Sequence, residues 1–390
     1  MLEDAYPQLP VELLEHITSF LQDDTRALRN LSLSSRTLDA VSKPHLFATI
    51  DFRRLGCPEL RPLFCHVKEL QVTWQVDMFQ TNEMQLLDRL LVPSLSPEAL
   101  PRLQRLVVRA LGTRGTRFLS MQRKAFVPLT SLTTLTLWET YHQNLRDVQM
   151  LICALPYLKT LHFSTVSWGK DLDYIPLIPE PLPDGPHLET LYVSSTYPEK
   201  TLVLVGWLAQ TPTGQSLKNL HIPFFAHNAP ALVPFFGPMV QCLSVPVRRL
   251  HASSLARYTS LESLVLLLHK YHPGTGRWEE LPIVLASLPS SGLLRSLTLQ
   301  LELERLHSDE ELSDAVLHNG PLQEADRVLF PESGTDDGAT QFANLCEVSV
   351  VVRTSFSPTK SKRDEFEGVI RRLMQRTVAH GQLVLLFEAA

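Results

Sequence analysis

The chain has 390 residues, with 36 Lys and Arg against 41 Asp and Glu, a formal charge of −5 at pH 7. Apolar residues make up 44% and charged residues 20%, enough for a large core, which excludes a chain disordered throughout. The acidic balance excludes nucleic-acid binding through a general basic field, and five cysteines at this length fit buried thiols in a reducing compartment, not a disulfide framework.

The opening Met1-Leu2-Glu3-Asp4-Ala5-Tyr6-Pro7 is acidic and lacks the basic and apolar regions of a secretory signal. The apolar runs, such as Leu264 to Leu268 and Leu383 to Phe387, fall far short of the roughly 20 residues that span a bilayer. The expectation is a protein with no membrane partner, located in the cytoplasm and/or nucleus.

Leu9-Pro10-Val11-Glu12 opens a helix: Pro10 suits the first helical position, where its missing N–H has no partner, and Glu12 and Glu15 favour the positive end of the dipole. Leu13, Leu14, Ile17, Phe20 and Leu21 follow at helical spacing and form one broad apolar face. Asp23-Asp24-Thr25 stops this helix and caps a second one holding Leu28 and Leu31. Ser34-Ser35 caps a third with Leu38 and Val41, which Pro44 is expected to end. Three helices in about 40 residues make little core alone and need a neighbour.

These residues carry a resemblance. Leu9-Pro10-x-Glu12-Leu13-Leu14-x-x-Ile17-x-x-Phe20-Leu21, then Leu28, Leu31, Ser35-Arg36, Ala40 and Pro44-x-Leu46-Phe47, resemble the F-box in its fungal form, over residues 6 to 50. The resemblance implies docking on the small adaptor subunit of an SCF-type ubiquitin ligase, and through it on a cullin. Leu9, Pro10, Leu13, Leu14, Ile17 and Leu21 are the implied contacts.

From residue 65 onward one phrase returns: apolar, two variable residues, Leu or Val, one variable, apolar. It reads Val67-Lys-Glu-Leu70-Gln-Val72, Leu103-Gln-Arg-Leu106-Val-Val108 and Leu132-Thr-Thr-Leu135-Thr-Leu137, and recurs from Leu158, Leu188, Leu217, Val247, Leu261, Leu294 and Leu345. First positions 103, 132, 158, 188, 217 and 247 step by 29, 26, 30, 29 and 30. A near-constant step marks stacked repeats. The alternating tail of each phrase is a short strand with one side in the core. Helix-capable segments lie between: Arg146 to Ala154, Leu202 to Gln210, Trp278 to Leu288 and Asp364 to Val378. The phrase resembles the L-x-x-L-x-L core of leucine-rich repeats, without the Asn that usually follows, so the turns must close differently and the arc is irregular. A short capped helix is expected at Ser308 to Leu312, and loops at Glu332 to Gly338 and Ser357 to Arg363.

The expected fold class is therefore α/β: a three-helix F-box-like domain at 1–50, then an irregular leucine-rich-repeat solenoid at 51–390. Parallel strands line its concave face and helices its convex face. The outward strand positions would bind a target protein. They include Arg105, Arg109, Trp138, His162, Tyr192 and His221, with Arg249 and His251 further on; Arg, Trp, Tyr and His suit a protein-binding patch.

No phosphate loop, nucleophile elbow or H-E-x-x-H motif occurs. Cys57 and Cys65-His66 have poor zinc spacing, and Asp171 with Asp173 is too little for acid–base chemistry. The expectation is a non-enzymatic adaptor without a cofactor, in which the repeats hold a target near the ligase core. The competing expectation is a repeat scaffold outside ubiquitin transfer, whose N-terminal helices are only a cap.

Overall fold

The computed structural model describes residues 9–75, 98–111, 129–142, 144–169, 185–194, 198–224, 235–247, 250, 255–269, 277–289, 292–303, 320–331, 342–354 and 357–389. The protein is α/β, with parallel strands and intervening helices, an arrangement compatible with a solenoid-like fold. It forms two compact units, Met1–Ile175 and Pro176–Ala390. The expected Ser308–Leu312 helix, the Glu332–Gly338 loop, Asp171, Asp173, Arg249 and His251 lie outside the described residues.

The first unit opens with helices α1 (Val11–Phe20), α2 (Thr25–Ser34) and α3 (Arg36–Leu46). The expected caps form: Asp24 Oδ1 accepts from the Ala27 N–H at 2.9 Å and Ser35 Oγ from the Leu38 N–H at 3.1 Å. Helix α3 does not stop at Pro44 but continues to Leu46, where the Phe47 N–H bonds the Lys43 carbonyl at 3.0 Å. A proline this close to the C-terminal end removes one bond without breaking the last turn.

Strands β1 (Thr49–Asp51), β2 (Glu69–Gln75), β3 (Arg105–Leu111), β4 (Thr134–Trp138) and, after a short β5 (Tyr141–His142) and helix α4 (Leu145–Cys153), β6 (Thr160–Ser164) pair in parallel in that order. Strand β5 pairs instead with β7 (Ser167–Trp168). The repeated phrase sets the register. Leu70, Leu106, Leu135 and Leu161 stand side by side and buried, as do Val72, Val108, Leu137 and Phe163. Before each strand the second phrase position donates its N–H back to the preceding repeat: Gln104 N–H to Lys68 carbonyl (2.8 Å), Thr133 to Gln104 (2.9 Å), Lys159 to Thr133 (2.9 Å).

A further copy of the phrase lies ahead of those that begin after residue 65. Phe47-Ala-Thr-Ile50-Asp-Phe52 builds β1, with Ile50 and Phe52 buried. The expected boundary at residue 50 therefore falls inside a strand, and the three helices share their unit with the first strands.

The second unit carries β8 (Thr190–Ser194), helices α5 (Pro198–Gln210) and α6 (Thr213–Ser216), then β9 (Asn219–Phe224) and β10 (Cys242–Pro246). It continues through β11 (Ser263–His269), α7 (Glu280–Ala286), β12 (Ser296–Leu303), α8 (Gly320–Leu329) and β13 (Glu347–Thr354) to α9 (Lys360–Leu373), α10 (Gln375–Ala379) and β14 (Leu383–Ala389). The seven strands pair parallel in chain order. Leu191, Leu220, Leu243, Leu264, Leu297 and Val348 form one buried row.

Two expectations are corrected here. The repeat placed at Val247 belongs seven residues earlier, at Val240-Gln-Cys-Leu243-Ser-Val245, which forms β10. Val247 follows that strand and donates its N–H to the Leu267 carbonyl at 3.1 Å. The loop expected at 357–363 ends at Thr359, because Lys360 to Arg363 form the first turn of α9. Arg363 holds that turn in place, donating from Nε to the Pro358 carbonyl and from Nη2 to Ser357 Oγ, both at 3.1 Å. Its charge is spent on local backbone, and so a run that reads as solvated coil is helical.

Candidate interaction surfaces

In α1 the apolar residues divide into two stripes a residue apart. Leu14, Thr18 and Leu21 turn towards the bundle, with Thr18 fully buried and the two leucines half-buried. Leu13, Ile17 and Phe20, at i, i+4 and i+7, turn outward and are 48%, 46% and 75% exposed. Helices α1 and α2 both pack on α3, and Leu28 and Val41 are their buried apolar residues. Leu9 and Pro10 are also exposed, so four of the six expected contacts lie at the surface.

Three further exposed apolar residues of the N-terminal helices, Val11, Phe20 and Leu33, were not among the expected contacts. Phe20 was legible from its spacing with Leu13 and Ile17. Leu33 was not, since it lies off the Leu28–Leu31 stripe of α2. The His16 ring meets Phe20 edge-on, with centroids 4.8 Å apart, and helps hold the phenyl group on the helix surface.

The outward rows of the first unit contain four of the expected target contacts. One row reads Thr73, Arg109, Trp138, Ser164, and the register sets Arg109 directly beside Trp138. The Arg109 guanidinium lies 3.6 Å from the centre of a Trp138 ring, and Trp138 remains 41% exposed. Arg105, two residues earlier in β3, faces Glu69 in β2 at 3.4 Å, a surface pair of little energetic weight. His162 is half-buried in the row Gln71, Val107, Thr136, His162.

In the second unit Tyr192 and His221 are neighbours, half-buried, with ring centroids 6.1 Å apart and planes tilted by 31°. Burial holds the His221 imidazole below its ordinary pKa, so it favours the neutral ring. Further along, the outward positions Ser244, Leu267, Ser349 and Val351 are buried. Outward positions are thus open at Arg105, Arg109 and Trp138 of the first unit and closed at these four positions of the second.

Two turns of the first unit are unusual. Glu139 and Thr165 follow β4 and β6 at equivalent places and both take left-handed backbone, φ 53° and 54°. The Glu139 N–H then reaches the Ser164 carbonyl at 2.8 Å, joining the two turns. Beneath them His142 is buried, with Nε2 3.2 Å from Thr140 Oγ1, and desolvation lowers its pKa to about 4. Among the described residues no three His, Cys, Asp or Glu side chains are grouped to hold a metal ion, and no helix is long and apolar enough to cross a membrane. In comparisons with known proteins, no family model and no curated protein matches the chain.

Proposed function

We propose that the protein is a non-enzymatic adaptor: its N-terminal helices dock on the adaptor subunit of an SCF-type ubiquitin ligase, and its strand-lined surface binds a target protein. The observation that carries this reading is the Leu13–Ile17–Phe20 stripe. A helix that only capped the strands would turn its apolar residues inward, where burying each is worth about 1.5–3 kcal/mol. Here the inward stripe already serves packing, and a second one remains in solvent, as do Leu9, Val11 and Leu33. An exposed apolar stripe of this kind suits a protein partner.

On the strand side the outward surface of β3 and β4 favours a partner with acidic groups. Arg109 with its aromatic support, and Arg105, are the accessible cations of that surface. The repeats would keep a target lysine at high effective concentration near the charged ubiquitin carrier. The fold is read here as an F-box followed by degenerate leucine-rich repeats, which rests on the motifs together with the parallel register of the repeated phrase.

The test is to mix the purified full chain with the purified adaptor subunit and follow co-elution on a sizing column. A stoichiometric complex is expected. Separate elution at tens of micromolar would overturn the ligase reading and favour the plain scaffold.

A further inference from the structure

Among the described residues, strand β14 lies at an edge of the sheet with backbone groups that no strand receives. Val348 of β13 donates its N–H to the Gln382 carbonyl at 2.9 Å, in a parallel register that sets Val348 beside Leu383. Along a parallel strand each residue directs its N–H and C=O to one side, and successive residues alternate. Gln382, Val384 and Leu386 therefore face β13, and Leu383, Leu385 and Phe387 aim their backbone groups at the open edge. Among the described residues no strand pairs there.

Both faces of this strand are partly uncovered as well. Val384 and Leu386 are 39% and 47% exposed. Leu383, Leu385 and Phe387 are only half-buried, whereas Val348, Val350 and Val352 beside them are fully covered. The usual guards of an edge, Pro, Lys or a bulge, are missing from Leu383–Ala389. Its one charge, Glu388, is held to its own sheet by Arg353 at 2.7 Å.

We propose that β14 pairs antiparallel with β14 of a second copy of this chain, about a two-fold axis at Leu385. A closed dimer uses the same patch on both copies, and an antiparallel strand pair satisfies that symmetry. With the axis at Leu385, that residue meets its own counterpart and Leu383 meets Phe387 of the second copy. All three of these residues direct edge N–H and C=O groups across the junction. On the outward face Val384 meets Leu386 of the second copy, so the two exposed apolar side chains cover each other. Gln382 meets Glu388, which keeps the two carboxylates off one another. Moving the axis one residue, to Leu386, would instead set Val384 against Glu388. The strand is its own complement in one register, and this selects a second copy as occupant. The proposal is independent of adaptor docking, which uses the other end of the chain.

Sedimentation of the full chain over a concentration series tests this. A single strand pair buries less than the roughly 1,200 Å² of a stable interface, so the series must extend to high micromolar. The weight-average mass is expected to rise from 44.1 kDa towards twice that value. Val384→Lys/Leu386→Lys, two solvent-facing changes, should stay at the single-chain mass throughout with an unchanged melting curve. Under mild oxidation Val384→Cys/Leu386→Cys should give a 384–386 link between copies, assigned by peptide mapping to separate it from the five native cysteines. A native chain that stays monomeric, a dimer indifferent to the lysines, or links joining only 386 to 386 would each overturn the proposal.

Discussion

Arg109 lays its guanidinium over Trp138, 3.6 Å from the ring centre, across the β3–β4 pair that sets the two residues side by side. The contact fixes two large side chains on a surface where each would otherwise sample many rotamers, and the positive face it presents is ready before any partner arrives. A cation on an exposed indole is worth about 0.5–1 kcal/mol. A double-mutant cycle of Arg109→Ala and Trp138→Ala, followed by urea unfolding, should return a coupling of that size. Simple additivity would show that the contact carries no energy.

The left-handed turn at Thr165 should be improvable. A β-branched residue at φ 54° carries roughly 1–2 kcal/mol of backbone strain that Asn tolerates better. Thr165→Asn is therefore expected to stabilise the protein by about 0.5–1 kcal/mol, read as a higher denaturation midpoint at constant slope. A lower midpoint would mean that the Thr165 side chain matters more than its backbone.

His142 makes stability depend on pH. The native ring is neutral, with its pKa lowered from 6.5 to about 4 by burial, while the unfolded ring takes up a proton below about 6.5. The unfolded state thus binds more protons between these limits. The contribution is complete above pH 6.5, falls as pH falls, and is fully lost near pH 4, at about 3 kcal/mol in all. Other groups titrate in the same range, so the readout is the native chain minus His142→Gln, which can keep the contact with Thr140. Their difference in unfolding free energy should slope between pH 6.5 and 4.5; parallel curves would contradict the assignment.

Asp326 ties α8 to the start of α10. Its carboxylate accepts from the Arg376 and Thr377 N–H groups, both at 2.9 Å, and from the Thr377 hydroxyl at 2.6 Å, and the residue is buried. Asp326→Ala strands three donors, at an expected cost of about 2–4 kcal/mol. Asp326→Asn, which keeps an acceptor oxygen, should lose less. Thermal unfolding of the two variants checks the order.

The repeated phrase made the strands legible because its first, fourth and sixth positions are the ones the core buries. Where it was misread, a competing pattern was at fault. Val247-Arg-Arg-Leu250 fits the 30-residue step better than Val240-Gln-Cys-Leu243-Ser-Val245, yet its tail ends on Ala252, whereas the latter ends on Val245, a better strand former. Phe47 read as the close of the helical module, which hid its second role in opening the β1 phrase. Strand β14 was missed because His380 stands where the leading apolar residue should be.

The division of α1 into an inward and an outward stripe was not legible at all. Residues 13 and 14, 17 and 18, and 20 and 21 offer two nearly equivalent helical faces, and only packing on α3 chooses between them. The Arg109–Trp138 stack likewise depends on register, since 29 residues separate its members and no local pattern links them.

The central claim is that the outward stripe of α1 docks on the ligase adaptor subunit, and it is tested most directly by titrating that subunit against the native chain, Leu13→Asp/Ile17→Asp and Trp138→Ala. Saturable binding is expected of the native chain and of Trp138→Ala. At least about a 100-fold loss is expected for the double aspartate variant, the equivalent of roughly 3 kcal/mol from two buried side chains, with an unchanged melting curve. Equal binding by the aspartate variant, or none by the native chain, would contradict the claim.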